Sequence, residues 1–222
     1  SEELRNSKVP CYFVDEIFDR YFPNKHLSTK FYSKPRMACI KTSLCAMQVL
    51  FKGNSSVKQK WLASAINLKM QGRLDLQQNV FWRKHGKYFE TMLFDGGHNF
   101  DALTALVEFL TTNKLVPCTL ILGMAADKLG PALQTPLKEL CGKAEYIIFT
   151  PVPSLRSATP EALGKFITEC GNFEHSPKIK HSSSAEEALE SALLNVENPV
   201  VVAGSFYLVG ELMQILENGN TT

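Results

Sequence analysis

The sequence predicts an α/β protein: a mostly parallel sheet with helices on both faces, preceded by a small helical segment. Three observations predict it. From Thr91 onward, short apolar runs alternate with stretches of about 10–15 residues at helical spacing. The run Pro199-Val200-Val201-Val202-Ala203 is apolar throughout, as a strand covered on both faces must be. The apolar runs also end in Gly or Pro turns, at Gly96-Gly97, Gly123, Pro151 and Gly204.

Before that alternation the chain is less regular. Val9–Val14 reads as a strand and Val14–Phe22 as a short helix, with aromatics at 13, 18, 21 and 22 available for packing. Pro23 to Pro35 carries loop signals. Met37–Phe51 is helical, with Ile40, Leu44, Met47 and Leu50 on one face. Lys52-Gly53-Asn54 breaks it. Ser55 or Ser56 then caps a second helix to about Met70, with Val57, Trp61, Ala65 and Leu68 in phase. Gln71-Gly72-Arg73-Leu74 is a Gly turn. Asp75 to Phe89 reads as two strands joined around His85-Gly86, and Thr91–Asp95 continues as strand. A helix follows from Phe100.

The alternation then runs on. A strand at Cys118–Gly123 precedes a helix from about Gly130 to Cys141, and a strand at Glu145–Thr150 precedes one from Thr159-Pro160 to Cys170, where Pro suits the first helical position. A short strand near Lys178–His181 leads to Ser184-Ala185-Glu186-Glu187, a capping box with a helix to Asn195. After Pro199–Ala203 a last helix spans about Tyr207–Glu217.

Composition narrows the class. The 222 residues carry a net charge of +2, too little for bulk attraction to nucleic acid or a membrane surface. No apolar run approaches a membrane span. The start, Ser1-Glu2-Glu3-Leu4-Arg5, is not a signal peptide and lacks Met, so a processed chain or a piece of something longer is expected. The six cysteines form no C-x-x-C pair and lie mostly in apolar stretches, which reads as buried thiols of a reducing compartment.

Function is expected where the turns after residues 95, 123, 150 and 203 gather, along the carboxyl edge of the sheet. They bring together Asp95, His98, Asp127, Arg156 and Ser205. Asp95 suits a ribose hydroxyl, a metal or a substrate amine, and equally a turn acid. His98 suits substrate binding or a structural helix start. Gly204-Ser205 suits an anion at a helix N-terminus, or a helix cap. Arg73 can clamp phosphate oxygens with its guanidinium fork, or be solvated. The sequence has no G-x-x-x-x-G-K-[ST] loop, G-x-G-x-x-G, G-x-S-x-G or metal-ligand spacing.

Four stretches in register resemble one family. They are Gln71-Gly72-Arg73-Leu74; Phe94-Asp95-Gly96-Gly97-His98-Asn99; Gly123-Met124-Ala125-Ala126-Asp127-Lys128; and Val202-Ala203-Gly204-Ser205-Phe206-Tyr207-Leu208-Val209-Gly210-Glu211. They look like the P-G-R, D-G-A-H-N-P, G-x-x-x-D-K-D and G-S-L-Y-L-V-G-E patterns of folylpolyglutamate synthase/dihydrofolate synthase, a branch of the Mur ligases. The resemblance implies a Rossmann-like carboxyl-terminal ligase domain over residues 75–222 and the tail of a central ligase domain over residues 1–74. It implies an amino-terminal ATPase domain, with the P-loop and Mg²⁺ ligands, outside this chain, and a cytoplasmic setting. The reaction implied is ATP-dependent addition of glutamate to folate or dihydropteroate through an acyl phosphate.

By position, the resemblance places Arg73 and Asp95 at ATP, and His98 and Ser205 near glutamate. It supplies no catalytic residue in this chain. Gly97 stands for the family's alanine, Phe100 for its proline, Leu129 for the second aspartate of D-K-D, and Thr42 for an asparagine near adenine. The alternative from another class is a non-catalytic Rossmann-like binding or interaction domain that has lost the ATPase part.

Overall fold

The computed structural model describes residues 12–22, 34–51, 55–68, 70–171, 173, 176–195 and 197–218. Contacts divide the chain into two compact units, Ser1–Lys69 and Met70–Thr222.

The first unit is helical: α1 (Val14–Tyr21), α2 (Lys34–Phe51) and α3 (Ser55–Asn67). Phe18 and Phe22 stack at 5.3 Å and bury against Ile40, Leu44, Cys45 and Leu62. Phe18 and Phe22 are thus core, and Tyr21 packs half-buried against them. Of the strand expected at Val9–Val14, residues 9–11 lie outside the described residues, Tyr12 and Phe13 are irregular, and Val14 opens α1; residues 52–54 also lie outside the described residues. Asp15 and Glu16 in the first turn and Arg20 in the last favour helix there through its dipole.

The second unit is the expected α/β layer. Strands β1 (Asp75–Trp82) and β2 (Lys87–Asp95) form an antiparallel hairpin that turns on Gly86, whose φ is 60°. Then come α4 (Phe100–Thr112), β3 (Cys118–Leu122), α5 (Pro131–Cys141), β4 (Ala144–Phe149), α6 (Pro160–Glu169), β5 (Lys178–His181), α7 (Ala185–Ala192), β6 (Val200–Ala203) and α8 (Phe206–Asn218). The sheet order is β1-β2-β6-β3-β4-β5, and every pair after the first is parallel.

Alternation along the strands builds two cores. Leu93, Leu120, Leu122, Ile147, Phe149, Val201 and Ala203 face α4, α5 and α6. Met92, Phe94, Ile121, Ile148, Val200 and Val202 face α7 and α8. β6 contributes to both, which is why its sequence is apolar without a break. Capping follows local chemistry. Asn99, Thr159 and Ser184 each accept a backbone N–H three residues on.

Cys118 and Cys141 are buried in the first of these cores, and burial pushes the Cys118 thiol up to about 12. Cys45 is buried as well, whereas Cys39 is exposed and Cys170 intermediate; all five are free.

One topological feature positions the site. The helices following β2 and β3 pack on one face, and the helix following β6 packs on the other. Because β6 lies between β2 and β3, the chain diverges to opposite faces at their carboxyl ends. A crevice at such a divergence is where open α/β sheets bind ligands.

Candidate functional site

At that divergence Asp95 ends β2 directly beside Ala203, the last residue of β6. Asp95 is buried, and both of its oxygens are engaged by main chain. Oδ1 accepts from the Gly97 N–H at 2.7 Å, and Oδ2 accepts from the Leu74 N–H at 2.8 Å. The Gly96 N–H donates to the Gly72 carbonyl at 2.8 Å. The turn at Gln71–Leu74 is therefore bonded on both sides to the turn at Gly96-Gly97, with Asp95 as the link.

Burial raises the Asp95 carboxyl above its ordinary value of 3.8; the two amide donors, then Arg73 and His98, oppose the rise without cancelling it. A carboxyl whose folded value is raised binds its proton more tightly in the fold than in the unfolded chain. Its stability contribution is full below 3.8 and is lost as pH rises through the folded value. Urea midpoints measured across that window should therefore fall with pH in the native protein relative to Asp95→Asn. A difference that grows with pH contradicts the assignment.

The glycines of these turns are matched to their neighbours. Gly72 has φ +69°, and a Cβ there would meet Val209 Cγ1 at 3.0 Å. A Cβ on Gly96 would overlap the Phe206 ring, and one on Gly97 would lie 2.5 Å from Asp95 Oδ1. The glycine at 97, where the resembling pattern has alanine, thus accompanies the close approach of the Asp95 carboxylate.

His98 Nδ1 lies 3.0 Å from the Gly96 carbonyl oxygen. A carbonyl only accepts, so Nδ1 donates, and a neutral ring then offers Nε2 as an acceptor. The ring meets Phe206 edge-on at 6.3 Å. Arg73 is exposed and places its guanidinium 4.7 Å from the centroid of the same phenyl ring.

Ser205 is buried immediately before α8. Its Oγ accepts from the Tyr207 N–H at 3.2 Å and its carbonyl accepts from the Val209 N–H at 3.1 Å. It serves α8 as a cap. Ser205→Ala should cost about 1 kcal/mol in urea unfolding, the usual worth of a lost serine cap. An unchanged midpoint would show that the cap carries no stability.

Asp95, His98 and Ser205 thus meet at one place with Arg73, joined through Phe206. Asp127 and Arg156 form a second cluster on the same edge. Their charged groups lie 3.7 Å apart, the Ala126 N–H donates to the Arg156 carbonyl at 2.7 Å, and Ala125 bridges Ser157. A cavity of about 710 Å³ lies elsewhere, lined by residues including Lys138, Glu139, Cys170 and Phe173. It sits where α5 and α6 end, away from the carboxyl edge where both begin. Among the described residues, no three or more His, Cys, Asp or Glu side chains come together to hold a metal.

Sequence reasoning missed Phe206. Its signal was a large aromatic directly after Gly204-Ser205, where the resembling pattern has leucine. A strand–turn–helix reading cannot show that its ring lies back over Gly96.

Residues 78–215 match the family model described as dihydrofolate synthetase, C-terminal domain. The chain belongs to this family. The matched span of the dihydrofolate synthetase C-terminal domain includes Asp95, His98, Ser205 and Phe206; Arg73 lies just before it. The folylpolyglutamate synthase of Lacticaseibacillus casei is 30% identical over 131 residues, 59% of this chain and 28% of that protein.

Solved structures share the fold. A Mycobacterium tuberculosis folylpolyglutamate synthase complexed with ADP and AMPPCP superposes with a TM-score of 0.66 at 16% identity, over 84% of this chain and 41% of that one. Escherichia coli FolC in complex with DHPP and ADP gives 0.61 at 22% identity, over 82% and 39%. The folylpolyglutamate synthase of Thermotoga maritima gives 0.54 at 26%, over 75% and 34%. The chain therefore spans well under half the length of these relatives.

Proposed function

We propose that this chain supplies the carboxyl-terminal part of an ATP-dependent ligase that joins glutamate to folate or dihydropteroate in the cytoplasm. The helical unit would be the tail of its central domain, and an amino-terminal ATPase domain would complete it. The observation that carries the reading is the bonding of the Arg73 turn to the Asp95–His98 turn at the sheet's divergence point, in a chain of the dihydrofolate synthetase family. The ADP and AMPPCP complexes of the similar structures support a nucleotide as one ligand, and a neighbour from Yersinia pestis was solved with AMPPNP and a Mn ion. DHPP in the Escherichia coli complex supports a pteroate-type acid as another.

In such a ligase the acid's carboxylate takes the γ-phosphoryl group, the glutamate amine attacks the acyl phosphate, and phosphate leaves. Mg²⁺ would be held by residues of the amino-terminal domain. The demands on this chain are positioning and charge neutralisation. Arg73 presents a fixed, always-charged fork to phosphate oxygens. Asp95 fixes the nucleotide-side loop through the Leu74 and Gly97 amides, and so holds the main chain from which Arg73 projects. His98, with Nδ1 committed to Gly96, offers Nε2 to the glutamate ammonium, and Ser205 shapes the facing end of α8.

The isolated 222-residue chain should fold cooperatively yet release no ADP with ATP, folate and glutamate. Circular dichroism and a coupled ADP assay check this. ADP formation by the chain alone contradicts the division of labour.

A further inference from the structure

We infer that Phe206 is a positioning residue for Arg73: its ring sets the guanidinium in place to meet an anionic ligand at the carboxyl edge. This rests on the reading of Arg73 given above and adds a residue to it. Arg73 is exposed at the tip of a Gly turn, and an exposed arginine ordinarily samples many rotamers, whose loss on binding weakens the contact. Here the guanidinium lies over an aromatic face, 4.7 Å from the centroid, which restrains it before any ligand arrives.

The ring itself is held in place. It lies against the bare backbone of Gly96, where a Cβ would overlap Cγ and Cδ1, and near Gly72, whose Cβ would come within 3.6 Å of it. The His98 ring stands nearly perpendicular to it, with centroids 6.3 Å apart. Its own main chain is fixed by the start of α8, where the Tyr207 N–H donates to Ser205 Oγ. One ring thus touches the three turns that carry Arg73, Asp95–His98 and Ser205. The residue is 38% exposed, so its burial in the core does not account for this placement.

The test is a double-mutant cycle in the full-length ligase, with MgATP as the probe and its dissociation constant read by calorimetry. Phe206→Leu keeps apolar volume and removes the π face. It should weaken MgATP about two- to fivefold, the worth of an exposed cation–π contact, while Phe206→Tyr keeps the affinity. In the Arg73→Ala background, Phe206→Leu should change nothing further. Arginine-selective NMR of the 222-residue chain supplies a second readout: the Arg73 side-chain protons should be shifted upfield by the ring in the native chain and in Phe206→Tyr, and not in Phe206→Leu. Equal losses from Phe206→Leu in both backgrounds, or no loss while Arg73→Ala weakens binding, overturn the proposal. An Arg73→Ala variant that binds MgATP normally overturns the reading of Arg73 itself.

Discussion

Replacing Gly204 by alanine should lower the unfolding free energy by about 2–5 kcal/mol, from the cost of a left-handed backbone plus overpacking. Gly204 has φ +97°, a conformation that side-chain-bearing residues avoid. A Cβ there would also sit 2.7 Å from the Gly123 carbonyl oxygen and 2.7 Å from Met124 Cγ. The oxygen is main chain at the end of β3 and cannot swing aside. The expected loss is a large fraction of the stability of a domain this size. It should appear as a lower urea midpoint with an unchanged slope. Gly210 gives the matched control. It lies within α8, where a Cβ would meet nothing within 4 Å and φ is not positive, so Gly210→Ala should gain about 0.5–1 kcal/mol. Opposite signs for the two substitutions distinguish the tight β6–α8 turn from general sensitivity of the last helix. Equal effects would remove the turn argument.

Arg73→Ala should lower kcat/KM for ATP in the full-length ligase by about tenfold to a hundredfold, the worth of a charge-assisted hydrogen bond to an anion. Folding should be nearly unaffected, because Arg73 is exposed and its contact with Phe206 is worth no more than about 1 kcal/mol. Arg73→Lys should recover only part of the loss, since an ammonium neither forms the planar fork nor stacks on the ring as a guanidinium does. An unchanged kcat/KM in a folded Arg73→Ala protein would remove Arg73 from the site.

Most elements of the second unit were legible in the sequence because β2, β3, β4 and β6 carry apolar runs and α4, α6 and α7 carry side-chain caps. Ser184, Thr159 and Asn99 accept amide hydrogens as their spacing predicts. The order of the strands was not legible. Periodicity gives faces, not neighbours, and only the insertion of β6 between β2 and β3 brings Ala203, and with it the turn that carries Ser205, to the end of β2 at Asp95. The residues alone leave Asp95 open between a ligand and a turn acid. Its hydrogen bonds to Leu74 and Gly97 join residues 21 and 2 positions away, and the first of these is invisible to local reading. The Gln71–Leu74 turn reads as the end of the helical segment, yet its bonds tie it to the sheet domain. At the other end of the chain, Val9–Val14 reads as a strand because Val, Tyr and Phe favour one, while the structure starts a helix at Val14.

If the Arg73–Asp95–Phe206 arrangement serves ATP-driven glutamate addition, turnover must depend on both glutamate and Arg73. The most direct measurement is ADP release by the full-length protein given a pteroate-type acid, with and without L-glutamate, alongside mass analysis of the product. The expected result is glutamate-dependent turnover, a product extended by glutamate, and loss of both in Arg73→Ala. ADP release that ignores glutamate, or a glutamate product formed equally by Arg73→Ala, would contradict it.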